Sequence, residues 1–542
     1  MKTLRPLLAY MFLTVLASCY AAAQSNPCPD SITAPATMNT SECMSTAHIH
    51  NEALIDSGTC TGTGCPTYSD NNIISLYGTY GNNENNTIYQ TTAQAHYQLG
   101  ISLASNIKPR CHDGSIPTLQ CTDGPPGTLP YNPSTVFLFV GFSNCDIEIC
   151  GGNSDAWDGQ GDSSSQTVNG HLPGQPCATQ CPNLGNTNPN FTTIWNQVTH
   201  GTNGHMGGDN VVQQSLIYQV YSPSTPLVGS HVAVFDGAFG QQALDRWDPY
   251  DGFYASGGCT FAGTDADDSE CNYERVKRDL LNNGFSENQV QAIFMKAADP
   301  FPECDLAHDT GCAPGEIADA YTAEQHLSDI MQYLRCCKLD ENNISTGISR
   351  YPNLQQVFIT SRTYGGYANG LTLPPAAGNA NCLNPEPFAY ELGFSIQRLI
   401  VGQIDEDANV TDTDPYRNGT IPNGSVKYSG TPNQLGGAIW FDWGPYLWAN
   451  GTSPNSDGVF WCDSTTRTNT NCSGAQDLGD FRYGDLTPTF TQYFGDHIHP
   501  TAQGAQIVAN ELVCWITLGH TCTNLTLGVQ SYITNWLPWI TQ

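Results

Sequence analysis

The stretch TVFLFVGFSNC, residues 135–145, decides the fold class. Val136 to Val140 form an unbroken apolar run, the pattern of a strand buried on both faces rather than the alternation of a half-exposed one. Gly141 breaks the run, and Ser143, Asn144 and Cys145 follow, so the strand is predicted to deliver a serine at its carboxyl end. Three further runs repeat this texture: HVAVFDGAF (231–239), VQAIFMKAA (290–298) and LQQVFITSR (354–362). Between them lie segments with helical spacing. SECNYERVKRDLLNNGF (269–285) offers Ser269 as an N-terminal cap and Gly284 as its stop. EIADAYTAEQHLSDIMQYLRCC (316–337), PFAYELGFSIQRLIVGQI (387–404) and PTAQGAQIVANELVCWI (500–516) follow the same pattern. Strands alternating with helices predict an α/β fold with a central parallel sheet, helices on both faces, and any ligand site at the carboxyl ends of the strands.

Outside this core the texture changes. Lys2 and Arg5, the apolar run Leu7 to Leu16, and small residues at Ala21 and Ala23 before a polar QSNPCPD read as a secretory signal over 1–23. Leu16-Ala17-Ser18-Cys19 also resembles a bacterial lipoprotein box, which would instead anchor the chain through a lipid on Cys19. No stretch supplies the roughly 20 apolar residues of a helical span, so no membrane span is expected. Residues 24–130 are rich in Gly, Asn, Thr and Cys and read as a disulfide-tied lead-in. Residues 131–520 form the main domain, with polar insertions at 144–230 and 403–437, and 521–542 form a C-terminal tail.

The chain carries 22 Cys, many in close pairs such as Cys60/Cys65, Cys145/Cys150, Cys177/Cys181 and Cys304/Cys312. These are not the C-x2-C pairs of a zinc ribbon, and their density belongs to an oxidising compartment, so disulfides are expected. Sequons at Asn190, Asn343, Asn418, Asn450 and Asn524, among others, are compatible with a glycoprotein, although an Asn-rich chain produces them by chance. A formal net charge of -32 weighs against nucleic acid and anionic membranes as partners, since both need a basic surface.

A serine hydroxyl is a weak nucleophile until a base takes its proton. The C-terminal FGDHIHPTAQGAQIVANEL (494–512) supplies a base with an orienting carboxylate: Asp496 and His499 lie three apart, in a loop ahead of a helix that Pro500 opens at its first turn. Ser143 early, a glycine after the second strand, and D-x-x-H-P before the last helix together resemble the SGNH, or GDSL-like, superfamily of esterases over about residues 130–517. NPEPFAYELGF, WGPYLWANG and DHIHPTAQGAQIVA look like an uncharacterised secreted branch of it. The resemblance implies a three-layer α/β/α, flavodoxin-like fold. It implies Ser143 as nucleophile, His499 as general base and Asp496 as its orienter, and the backbone N–H groups of Ser143 and Gly240 as an oxyanion hole, with Gly237 the alternative to Gly240. No metal and no cofactor is implied. The implied substrate is a small-molecule or polysaccharide ester, with O-acetyl groups on extracellular glycans first.

One block departs from the family pattern. Where G-x-N-D is usual after the third strand, this chain has Met295-Lys296-Ala297-Ala298-Asp299, without the asparagine. Lys296 or Asp299 is left to take part of that role, or Lys296 to sit solvated at the strand end. Asn144, Lys296, Arg362, Trp443 and Trp448 are the candidate substrate contacts, the tryptophans as a sugar-stacking platform or else as core. A Cys145–Cys150 bridge would stiffen the turn after Ser143. Two rival functions remain. His48-Ile49-His50 and His497-Ile498-His499 are H-x-H pairs of the kind a metal-dependent hydrolase uses, and the missing asparagine suits a non-catalytic carbohydrate-binding or surface protein on a decayed hydrolase fold. His200, His205 and His231 are expected to be structural or exposed, and GTNGHMGGDN (201–210) a flexible insertion.

Overall fold

The computed structural model describes residues 87–117, 121, 133–150, 216–220, 227–229, 231–238, 242–250, 259, 271–282, 284–299, 302, 319–340, 345–362, 388–409, 426–429, 437–444, 480–483, 494–500, 502–517 and 537–541. In chain order the elements are α1 (Thr87–Ala104), β1 (Thr135–Gly141), α2 (Ser143–Cys150), α3 (Leu216–Val220), β2 (Val232–Asp236), α4 (Leu244–Trp247) and α5 (Asn272–Asn282). They continue with β3 (Val290–Ala297), α6 (Asp319–Arg335), β4 (Gln356–Ser361), α7 (Phe388–Asp407), β5 (Phe441–Trp443), β6 (Asp480–Tyr483), β7 (Phe494–Pro500) and α8 (Ala502–Thr517).

The four apolar runs form β1 to β4, and every residue in these strands is buried. With β5 they make one sheet in the order β2-β1-β3-β4-β5, all neighbours parallel. This is one of the two common doubly wound orders, and the direction of winding reverses beside β1. The helices fall into two groups. α2, α3 and α8 pack on one another, while α4, α5, α6, α7 and α1 form a separate chain of contacts. Strand alternation puts α8 and α5 on opposite faces, while α1, which meets α7, lies on the α8 face, where its Gly100 carbonyl accepts from Gln356 of β4. Phe137 lies against Trp515 of α8 (ring centroids 6.2 Å), whereas the next residue, Leu138, shares with Val276 of α5 the space beside Gly237.

Trp515 is the hub of the α8 face. Its indole meets Phe137 of β1, Phe294 of β3 (5.5 Å) and Phe358 of β4 (5.0 Å, edge-on), so one side chain bridges three strands. Full burial of each such ring contributes about 1.5–3 kcal/mol by area alone.

Helix signals were partly legible. Gly284 stops α5 as expected: it takes φ +80°, its N–H donates to Leu281, and the Phe285 N–H donates to Leu280. Ser269, the expected cap, lies outside the described residues. Pro500 does not open the last helix but ends β7, with α8 starting at Ala502.

Two segments placed outside the core belong to it. α1, within the predicted lead-in, packs on α7 and β4. His96 bonds the Phe441 carbonyl (3.1 Å), stacks on Trp440, and accepts at its own carbonyl the Trp440 indole N–H. In the predicted tail, Leu537, Trp539 and Ile540 are buried. Trp539 meets Phe137 edge-on (5.4 Å) and donates to Gln356, and the Ile540 carbonyl accepts the Gly229 N–H. The predicted insertion 144–230 likewise holds α2 and α3, and 403–437 begins inside α7. These segments have no strong apolar period of their own, and their burial is created by surfaces distant in sequence.

Disulfides join Cys111 to Cys121, Cys259 to Cys271 and Cys336 to Cys337. The pairs Cys60/Cys65, Cys177/Cys181 and Cys304/Cys312 lie outside the described residues. Among those described, no helix is long and apolar enough to cross a membrane.

A buried ion network ties α5 to the segments that lead into β3 and β4. Arg350 donates to Glu274 of α5 (2.8 Å) and to the Tyr273 carbonyl, and pairs with Glu287 (2.6 Å) in the turn before β3. Burial alone would raise the Glu274 carboxyl, but the Arg350 guanidinium, helped by Lys277 and Lys338, outweighs it and holds the group below the usual carboxylate range. The folded state therefore binds its proton less readily than the unfolded chain. Its stabilisation is complete above the ordinary carboxylate value and is lost as pH falls through the depressed one. In denaturant titrations the wild type is expected to exceed Glu274→Gln in stability at pH 7, and the gap to narrow steadily as the medium is acidified through that range.

Gly100 of α1 gives a second test. A Cβ there would collide with the Trp440 indole ring. Gly100→Ala should cost about 1–3 kcal/mol through overpacking despite the better helix propensity of alanine, read as a lower denaturant midpoint.

Candidate functional site

The site is built at the carboxyl edge of the sheet, beside the reversal at β1. β1 ends at Gly141, and α2 starts two residues later with Ser143 as its first residue. Gly141 is required here for two reasons. Its φ is +148°, which L side chains rarely adopt, and a Cβ would stand 2.5 Å from the Lys296 carbonyl oxygen of β3. Gly141 and Lys296 are register partners in the β1–β3 ladder. The glycine thus lets β1 finish in close contact with β3 and turn at once into α2.

Asp496 and His499 fall on β7, not in a loop. β7 pairs with β6 antiparallel, and the register slips within it. Arg482 faces Gly495 and Asp480 faces Pro500, so five steps on β7 oppose two on β6 and three extra residues are accommodated between them. Asp496 to His499 are the residues in that bulge. In a regular strand, positions three apart would alternate to opposite faces; the bulge lifts this constraint, and such bulges recur beside active sites. α2 lies against β7, and α8 touches both. The backbone therefore brings the element that begins with Ser143 next to the one that carries Asp496 and His499.

The expected oxyanion donors have different standings. Ser143 is at the first position of α2, where a helical N–H has no carbonyl four residues back to bond. Gly237 is committed elsewhere: its N–H donates to the Phe139 carbonyl (2.7 Å) and its carbonyl accepts from Arg275. Gly240 lies outside the described residues, as do Trp448, His48, His50, His200 and His205. His231 is part-buried and bonds the Pro133 carbonyl, a structural role.

Among the substrate-contact candidates, Asn144, Lys296 and Arg362 are buried and are not surface groups, and Trp443 is the last residue of β5. Trp440 and Phe441 of the same aromatic run are core. Lys296 in particular is not solvated at the strand end. Its ammonium forms an ion pair with Glu148 of α2, and both side chains are 1 % exposed. Removing either partner alone would strand a buried charge, a loss of about 3–5 kcal/mol. Asp299, two residues past β3, is half-buried.

The Cys145–Cys150 bridge does not form. Both residues are on α2, where five residues of helix separate Cα atoms by about 8 Å, beyond disulfide reach. The buried Cys145 thiol donates instead to the Val140 carbonyl (3.6 Å) and so ties α2 back to β1. The turn is stiffened, but by this contact and by the Lys296–Glu148 pair.

Glu148 carried one sequence signal. It stands between two isoleucines as Lys296 stands inside an apolar strand, and a charge embedded in an apolar run needs a partner of opposite sign. Elsewhere an imidazole–carboxylate pair, His326 Nδ1 with Asp248 (2.8 Å), joins α6 to the end of α4. Beside it, burial raises the Asp245 carboxyl against the opposing pull of Arg246 and His326. Neither residue of that pair had a motif to mark it. Among the described residues no group of His, Cys, Asp and Glu is arranged to hold a metal ion. No family model, no curated protein and no solved structure matches the chain.

Gly141→Ala should destabilise by more than about 2 kcal/mol, since it adds a collision with backbone to a disfavoured φ. Gly347→Ala, at φ +70° with nothing within 4 Å of a new Cβ, isolates the conformational part and is expected to cost about 1 kcal/mol. Paired denaturant titrations compare the two.

Proposed function

We propose that the protein is a serine hydrolase acting on carboxylic esters. More narrowly, we read it as a secreted three-layer α/β/α enzyme of the SGNH type that removes O-acetyl or other short acyl groups from extracellular glycans. The observation that carries this is the placement of Ser143 as the first residue of the helix after β1, at the edge where ligands of doubly wound sheets bind, with that helix packed on the strand that holds Asp496 and His499. The three disulfides among the described residues are compatible with an oxidising, extracellular setting.

In this mechanism His499 accepts the Ser143 hydroxyl proton as the oxygen attacks the ester carbonyl, and Asp496 steadies the imidazolium. The tetrahedral oxyanion is met by the backbone N–H of Ser143 and that of Gly240, each donor contributing on the order of a hundredfold in rate. Collapse expels the alcohol, which takes the proton from His499 and leaves an acyl-serine. Water, deprotonated by the same histidine, then releases the carboxylic acid and regenerates the enzyme. Lys296 does not replace the missing asparagine as a donor, because its ammonium is engaged with Glu148.

The test is hydrolysis of p-nitrophenyl acetate and acetylated xylan by wild type and Ser143→Ala, matched for folding by circular dichroism. A fall in kcat of about 10⁴-fold or more in the variant is expected. Equal turnover by both proteins would overturn the serine mechanism and direct attention to the histidine pairs. Correctly folded wild type without turnover would favour a glycan-binding protein instead.

A further inference from the structure

The Lys296–Glu148 pair puts two opposite charges in the buried interior beside the helix that opens with the proposed nucleophile. Lys296 touches the strand–turn–helix unit at two points. Its carbonyl is the atom against which Gly141 closes, and its ammonium reaches across to Glu148, five residues along α2 from Ser143. The first contact fixes where β1 ends, and the second fixes how α2 leaves. Ser143 lies between them, on the six residues of chain, 142–147, that join the contacts. Cys145 adds a third tie through its bond to the Val140 carbonyl, and the Cys145 N–H closes the first turn on the Phe142 carbonyl (2.9 Å).

A fold held only for stability has no need of such a pair. Buried ion pairs are commonly matched or bettered in stability by apolar side chains of similar volume, and their distinct contribution is a fixed geometry. We propose that Lys296 and Glu148 are positioning residues: their ion pair sets the attitude of α2 on β3 and so places Ser143 for attack. This rests on the serine-hydrolase reading above and adds residues to it that touch no substrate. It also gives the departure at the third block a purpose, since the strand-end position serves the nucleophile helix rather than the oxyanion.

Full-length wild type, Ser143→Ala, the apolar double variant Lys296→Met/Glu148→Leu, and Glu148→Gln are assayed for kcat and KM on p-nitrophenyl acetate, with thermal midpoints taken alongside. Expected for the double variant is a midpoint at or above that of wild type, KM within about threefold, and kcat lower by about 10- to 100-fold, the scale of a displacement of about 1 Å. Glu148→Gln, which keeps the length and one acceptor but leaves the Lys296 charge uncompensated, should lower the midpoint, yet in the folded protein lose kcat less and in the same selective way. Wild-type kcat in a folded double variant, or equal changes in kcat and KM, would overturn the inference. Failure of both variants to fold would make the pair an element of stability alone and overturn it as well. The comparison with Ser143→Ala separates the two levels: absence of Ser143-dependent turnover in wild type removes both proposals, whereas Ser143-dependent turnover with kcat intact in the pair variants removes only this one.

Discussion

At the end of β1 the carbonyl oxygen of Lys296 occupies the space that any side chain on residue 141 would need, and Gly141 adopts φ +148° to accommodate it. Much of the carboxyl edge follows from that close approach. β1 can finish flush with β3, the chain can turn within two residues, and α2 can begin at Ser143 with its far half within reach of the Lys296 side chain. A bulkier residue at 141 would push β1 from β3 and lengthen the turn, and both the helix start and the ion pair would move with it.

The sheet behind this edge is held by side chains that come from far along the chain. Trp515 of α8 and Trp539 of the final turn meet the phenylalanines of β1, β3 and β4 on one face. On the same face, α1 locks the approach to β5 through the reciprocal bonds of His96 and Trp440. The two ends of the described chain are therefore structural parts of the sheet. One polar interior group, the Gln356 amide, is satisfied in the same long-range way. Gln356 of β4 donates to the Gly100 carbonyl and accepts from Trp539, and so joins α1 to the last turn through one amide.

The proposed catalytic elements are assembled by packing between segments more than 350 residues apart. Residues three apart diverge on a regular strand, and Asp496 to His499 fall where β7 accommodates three extra residues against β6. Nothing in D-x-x-H-P announces a bulge, since the register slip is fixed by pairing with β6, whose residues Asp480 to Tyr483 carry no strong strand pattern of their own.

The fold class was legible because each buried strand is a short apolar run bounded by turn residues, a signal that belongs to the run itself and survives without its neighbours. Gly284 and the helical periods of α5 to α8 were legible for the same reason. Ser143 could be singled out because a glycine and a serine follow such a run directly. The roles of α1 and of Trp539 could not be read, because their burial is a property of the surfaces they meet. Local spacing also misdirected the pairing of Cys145, for two cysteines five apart look close until a helix separates them. Lys296 and Glu148 are each charges in apolar company, but they stand 148 positions apart, and only the parallel pairing of β1 with β3 brings the ammonium to the carboxylate.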